Sequence, residues 1–388
     1  MSIENTTVTE SGKVNARFVG NVLWKALLLF VVFNLIFMSV DIVPWLGEIS
    51  AYNVLFPGRV RLPYGEVPER AFNLSPFSIE AMFASHELSA GTKPEGEYRV
   101  LVIGDSSVWG FLLRPEDTLT GKLSAGDYIT QDGRRVRAYN LGYPTTSLLK
   151  DVMLLDEAMR YEPDLVLWLV TLEAMPVIKQ FASALLQHNP DRARDLIDRY
   201  DLDLDPQDEN LVDLEWWQRT IWGRRRDLAD WVRLQLYGVV WAAAELDQDY
   251  PEDYPLRKSD LEADESFMQY LPPQDMDQIL ALDVLYAGLS VARDLPIIFV
   301  NQPIFISDGE NSDIRYNFNY PRWVYDDYLI WFNQQCVESE WACVDVWDLV
   351  DPAEFTNTAF HMSPMGTAQL ASQLGDAILE VATDYSSQ

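Results

Sequence analysis

One serine, one glycine and one histidine in this chain are placed as acyl-transfer chemistry would need them. Ser106 stands in the run Gly104-Asp105-Ser106-Ser107-Val108-Trp109-Gly110, Gly142 closes Asn140-Leu141-Gly142, and His361 lies in Phe360-His361-Met362-Ser363-Pro364. A serine hydroxyl is a poor nucleophile at neutral pH and needs an adjacent base, for which imidazole is best suited. Backbone N–H groups at a turn can hold the oxyanion, and glycine permits the close approach this requires. Only three histidines occur; His86 falls in an expected helix and His188 precedes Asn189-Pro190 at a helix stop, which leaves His361. Each residue also has a plainer role, with Ser106 as a helix N-cap, Gly142 as a turn former and His361 as a loop residue.

For these groups to meet, distant positions must reach one edge of a sheet. Short apolar strands are expected at 98–103, 135–141, 164–170, 295–301 and 343–346, and helices at 78–85, 148–160, 325–335 and 364–382. The run 164–170 (DLVLWLV) is apolar throughout and suits the middle of a parallel sheet. Strands alternating with helices argue for a five-stranded parallel α/β sheet with right-handed crossovers. Ligands of such sheets collect outside the carboxyl ends of the strands. Ser106 follows the first strand, Gly142 the second and His361 the last, so all three fall on that edge. Asn301, Gln302 and the stretch 315–323, with Arg315, Asn317 and Arg322, follow the fourth strand there and are candidates to line a substrate site, with packing as the alternative for the aromatics.

Residues 175–290 interrupt the alternation with an acidic insertion of helical texture. Asp201, Asp203, Asp205 and Asp208 imitate a calcium loop, but Pro206 replaces the glycine and Val212 the bidentate glutamate that such a loop needs. They read as a solvated cap or loop. Residues 231–244 (WVRLQLYGVVWAAA) follow three arginines at 224–226, a pattern that fits a membrane surface or an ordinary packed interface.

Composition narrows the field further. The chain of 388 residues carries 29 basic and 60 acidic side chains, a formal charge of −31, which repels nucleic acid phosphates. With 48% hydrophobic residues it is no disordered acidic polymer. Two cysteines and three histidines exclude a disulfide-built scaffold, a multi-cysteine zinc module and a His-rich metal centre. No metal or organic cofactor is expected.

Residues 18–40 hold a single charge, Lys25, and as a helix cover about 35 Å at ~1.5 Å per residue, enough to cross a bilayer. Lys25 sits near the N-terminal end, where its stem can snorkel to the headgroups. Lys13 and Arg17 precede the run and Asp41, Pro44 and Trp45 follow it, which orients the N-terminus to the cytoplasm and exports the rest. A cleaved signal peptide would need a small-x-small site after the run, and none follows. The expected organisation is a cytoplasmic tail (1–17), a single-pass cell-membrane anchor (18–41), a stalk and wrapping segment (42–97) and the α/β domain with its insertion (98–384). Cys336 and Cys343 could pair or stay free, and export favours the pair.

Gly104-Asp105-Ser106 with Gly110, then Gly142, then His361 ahead of the last helix resembles the SGNH (GDSL-like) hydrolase family over 98–170 and 295–382. The resemblance implies a flavodoxin-like three-layer α/β/α domain and ester chemistry. Ser106 would be the nucleophile and His361 the base, and the N–H groups of Ser106 and Gly142 would line the oxyanion hole. It is not the G-x-S-x-G elbow of α/β-hydrolases, because Val108 stands where glycine is required. Two positions depart from the family. Its oxyanion asparagine is absent from Val170-Thr171-Leu172-Glu173, where Thr171 is a partial stand-in, and its aspartate three residues before the histidine is Thr358. Asn357 could orient the imidazole without the stabilising charge, and Glu354 lies within reach of the loop. The expected function is a membrane-anchored, extracytoplasmic serine esterase or O-acyltransferase acting on acylated glycans or cell-envelope esters. The bilayer and a membrane acyltransferase are the expected partners. The alternative is a catalytically silent scaffold or carbohydrate-binding protein that keeps the fold.

Overall fold

The computed structural model describes residues 16–56, 58–65, 70, 72–244, 248 and 250–386, so nearly all of the tail expected over 1–17 lies outside the described residues. Five parallel strands form one sheet: β1 (Glu97–Gly104), β2 (Arg135–Gly142), β3 (Leu165–Val170), β4 (Ile297–Asn301) and β5 (Ala342–Asp345). Their order is β2-β1-β3-β4-β5, the flavodoxin-like arrangement. β1, β3 and β4 are buried along their whole length, as apolar runs covered on both faces must be. β2 lies at an edge and exposes Arg135 and Arg137.

The helices are α1 (Ala16–Ser39), α2 (Ile42–Gly47), α3 (Ala51–Leu55), α4 (Ile79–Ala84), α5 (Ser106–Trp109), α6 (Leu119–Ala125) and α7 (Leu148–Ala158) in the first part of the chain. There follow α8 (Ala184–Gln187), α9 (Pro190–Tyr200), α10 (Arg225–Ala244), α11 (Met276–Ile279), α12 (Leu282–Ala292), α13 (Arg322–Glu338) and α14 (Pro364–Ser386). The sheet grows outward from β1 in both directions. Right-handed crossovers therefore put α6 and α14, which touch each other, on one face, and α7 and α12, also in contact, on the other.

Three expectations change in the structure. α12 fell within the expected insertion, yet it packs on α7 as the β3–β4 crossover and belongs to the three-layer domain. Residues 250–275 hold no helix; Pro251, Pro255, Pro272 and Pro273 interrupt any such run. The segment 42–97, expected as a stalk that wraps the domain, packs into it further than wrapping requires: Leu62, Ile79, Met82, Phe83 and Leu88 belong to the main core. Within it Ser78 caps α4 by accepting from Ala81 N, while His86 caps a short 3₁₀ turn and is fully buried.

α1 is long and apolar enough to cross a membrane, a property shared by anchors and signal sequences. Asp201 ends α9 in the left-handed conformation, a cap as expected. Cys336 and Cys343 are disulfide-bonded and tie the end of α13 to β5.

Candidate active site

Flush strand ends build the site. β1 and β2 pair in register from Glu97↔Arg135 to Gly104↔Gly142, so the turns leaving both strands start side by side. Beneath them the fully buried Lys150 ammonium donates to Gly104 O at 2.8 Å and Tyr143 O at 3.0 Å, and lies 2.6 Å from Asp151. An ion pair thus ties the two turns at their roots. Gly142 is required by close approach: a Cβ there would lie 2.3 Å from Trp109 N, against the helix that carries the nucleophile.

Ser106 opens α5. Asp105 caps this turn, its Oδ1 accepting from Ser107 N at 2.8 Å and its Oδ2 from Gln302 Nε2 at 3.0 Å. The Ser107 hydroxyl donates to Gln302 Oε1, closing a buried network directly below the nucleophile. Gly110 ends the turn at φ 85, a left-handed position suited to glycine. From the wrapping segment, Arg61 donates to Gly110 O at 2.7 Å and Leu113 O at 2.9 Å and lies over the Trp109 ring.

His361 reaches the same edge from the loop before α14. Its Nε2 is 2.8 Å from Ser106 Oγ and its Nδ1 is 2.8 Å from Asn357 Oδ1. The amide oxygen accepts only, so the network assigns the proton to Nδ1 and leaves Nε2 to receive the serine proton. The loop is clamped on both sides: Thr358 Oγ1 accepts from His361 N at 3.0 Å, and Thr356 N donates to His361 O at 2.8 Å. Phe111 stacks on the imidazole with ring centroids 5.1 Å apart. Burial pushes the His361 pKa down to about 4, partly opposed by the Asp105 charge, so the ring is neutral at physiological pH. Glu354 is spent on the Ser363 hydroxyl rather than on the histidine.

The cleft over this pair encloses about 420 Å³ and is lined by Ser106, His361, Thr145, Glu173, Lys179 and Asn319 among others. A larger cavity of about 580 Å³ opens beside Glu97, Ser124 and Arg135, at the opposite ends of the strands. The Gly142 N–H donates to Asn140 Oδ1 at 3.1 Å and is not available as expected. Thr145, three residues on, lines the cleft instead. It holds φ 94, a costly conformation for a β-branched residue, and its hydroxyl pairs with Ser183 Oγ at 3.0 Å.

Thr171 is buried with its hydroxyl bonded to Tyr320 OH and does not line the cleft. Glu173 does line it; burial raises its pKa against the opposing charge of Lys179, 3.6 Å away. Asn319 Nδ2 donates to Glu173 Oε2 at 3.2 Å.

The residues expected to bind substrate behave differently. Arg315 is buried and donates to the carbonyls of Asn317, Asp264, Ser266 and Phe318. Asn317 staples its own loop by accepting from Asn319 N and Tyr320 N. Arg322 binds Ser312 O, and Asn301 bonds to Asp345 and Tyr328 inside the sheet. Gln302 sits beneath the nucleophile, as above. From that polar stretch it is Phe318 and Asn319 that reach the cleft.

No protein-family model matches the chain, and no curated protein does. Among solved structures it is similar to a carbohydrate acetylesterase family member from Sinorhizobium meliloti, at 11% identity and TM-score 0.34, over 73% of this chain and 98% of that one. It is similar to a catalytic mutant of an acetylxylan esterase from Geobacillus stearothermophilus, at 14% identity and TM-score 0.33, over 74% and 94%. A candidate lipolytic protein of the G-D-S-L family from Desulfitobacterium hafniense DCB-2 is similar at 10% identity and TM-score 0.33, over 72% and 99%. Likeness of this extent carries no argument; the chemistry rests on the geometry of the site.

Proposed function

We propose that the chain is a serine esterase of SGNH type, anchored in the cell membrane by α1 with its α/β domain outside the cytoplasm. The observation that carries this reading is the 2.8 Å approach of Ser106 Oγ to the neutral Nε2 of His361 at the mouth of a cleft. Ser106 Oγ attacks the ester carbonyl carbon while its proton passes to His361 Nε2. The oxyanion is held by the Ser106 N–H and the backbone N–H at Thr145, which takes the role expected of Gly142. Collapse breaks the ester C–O bond, and His361 returns the proton to the leaving alkoxide oxygen. Water, or a sugar hydroxyl in the transferase version, then attacks the acyl carbon with His361 taking its proton; the bond from that carbon to Ser106 Oγ breaks, His361 returns the proton to Oγ, and the acid or the new ester leaves. The substrates that fit are acylated glycans or small envelope esters. The Cys336–Cys343 disulfide supports an oxidising compartment.

The test is hydrolysis of an aryl acetate by the purified full-length chain. Ser106→Ala and His361→Ala should each reduce the rate to background. A wild-type rate no higher than that of Ser106→Ala would favour the silent-scaffold reading, which the absent oxyanion asparagine and triad aspartate motivate.

A further inference from the structure

α1 buries one of its residues against protein, Asn34, near its C-terminal end. Asn34 is 8% exposed; its Nδ2 donates to Phe30 O at 2.8 Å and its Oδ1 accepts from Ile221 N at 3.0 Å. It lies five residues before the end of α1 at Ser39, about 7.5 Å inside that end at ~1.5 Å per residue. The backbone of the insertion at Ile221 therefore meets α1 inside its C-terminal end.

The neighbouring surface suits that depth. Trp216 and Trp222 are each more than half exposed, and Trp217 nearly so. Three arginines follow in a chain of net charge −31. Arg224 approaches Asp41, just beyond the exit of α1, at 3.6 Å, and the Arg225 guanidinium lies over the Trp222 ring at 4.9 Å. Tryptophan with snorkelling arginine is the composition of a membrane–water boundary. α10 continues the surface with Val232, Leu236, Val239 and Val240, an exposed apolar stripe at i, i+4, i+7 and i+8. Its opposite stripe, Trp231, Leu234 and Trp241, packs with Val43 and Ala81 of α2 and α4. Gln235 fastens α10 to the α2–α3 link by accepting from Ala51 N at 2.7 Å and donating to Ile49 O at 3.1 Å. Trp45 of α2, Ile49 of the link and Val54 and Leu55 of α3 are exposed beside it.

We propose that residues 215–244 form a collar seated in the outer leaflet, Trp216 and Trp222 reaching the acyl chains while Glu215 and Arg219 stay at the headgroups, and the stripe of α10 at the headgroup boundary. Its occupant is the lipid around α1. The collar rests on α1 being a membrane anchor. It gives the domain a second attachment that fixes its height and orientation over the bilayer, so the domain does not swing on a free stalk.

Nitroxide labelling of the full chain in phosphatidylethanolamine–phosphatidylglycerol vesicles tests this, because both native cysteines are bonded. Single cysteines replace Leu28 within α1, Trp216, Trp222 and Leu236 in the collar, and Asp191 as an aqueous reference. Two turn positions keep the test intact if one variant misfolds, and aryl acetate turnover monitors folding. Collisions with oxygen should dominate at 28, 216, 222 and 236, and collisions with a water-soluble nickel chelate at 191. Oxygen dominance at 28 with nickel dominance at 216, 222 and 236 overturns the collar and leaves the anchor standing; this is also the result for a face kept for a protein partner. Nickel dominance at 28 overturns the anchor and the collar with it.

Discussion

Exchanging Asn357 for aspartate adds the one charge that the catalytic pair lacks. Asn357 Oδ1 is 2.8 Å from His361 Nδ1, so an aspartate in the same rotamer would set a carboxylate against the imidazolium that forms during attack. At a charge separation of ~4 Å and an effective dielectric of ~20 the attraction is about 4 kcal/mol. That corresponds to about 3 pKa units, which lifts His361 from about 4 to near 7. The same energy bounds the gain in transition-state stabilisation at about 10³-fold, and in serine protease triads the reverse exchange lowers kcat by about 10⁴-fold. Asn357→Asp should therefore raise kcat/KM for an aryl acetate by about 10- to 10³-fold at pH 8. At pH 5 only about 1% of a base with a pKa near 7 is unprotonated, so the gain should shrink by up to about 100-fold there. The assay is kcat/KM from pH 4 to 9 for both proteins. A variant no faster at pH 8, with its acid limb unmoved, would refute a role for Asn357 at the catalytic imidazole.

Wild-type kcat/KM should stay flat down to about pH 5 and fall only near pH 4, because burial holds the His361 pKa at about 4; an acid limb near 6.5 would contradict the buried geometry. His86 is likewise held at about 4 by burial, so between pH 6.5 and 4 these two sites bind up to two more protons in the unfolded chain than in the folded one, an excess partly offset by buried carboxyls whose pKa is raised, such as Glu173. Stability then falls as pH drops through that window, by up to about 2.7 kcal/mol per pH unit, and chemical denaturation at pH 7 and 5 measures it. Glu173→Asn replaces a carboxylate lining the cleft by an amide that can donate to the oxyanion, and kcat should rise by about 10- to 100-fold; a fall would show that the carboxylate itself serves catalysis. Lys150→Met leaves Asp151 buried without its partner and should lower folding stability by about 3–5 kcal/mol; a loss below 1 kcal/mol would show that the ion pair does not secure the strand ends.

The sheet was legible because its inner strands are apolar on both faces, a signal that survives without alternation. Ser106 and His361 were legible because each directly follows a strand or precedes the final helix, which places both on one edge of a parallel sheet. Thr145 was not. Its value lies in a left-handed backbone that its type disfavours, and glycine three residues earlier offered the more familiar signal. The stretch 315–323 was placed on the correct edge, but composition does not say which side chains turn inward. The Arg315↔Pro321 bridge closes that loop, so Arg315 and Asn317 bond its backbone and Phe318 and Asn319 face the cleft. The insertion misled for a similar reason: α12 follows an acidic, proline-broken stretch and reads as its continuation, although its partner α7 lies more than a hundred residues earlier.

The proposed chemistry requires that Ser106 be an activated nucleophile. Treating the full-length chain with a fluorophosphonate and mapping the adduct by peptide mass tests it most directly. A single phosphonylated residue, Ser106, is expected, with modification lost in His361→Ala. Absence of any adduct, or an adduct on Ser106 that forms equally fast without His361, would contradict it.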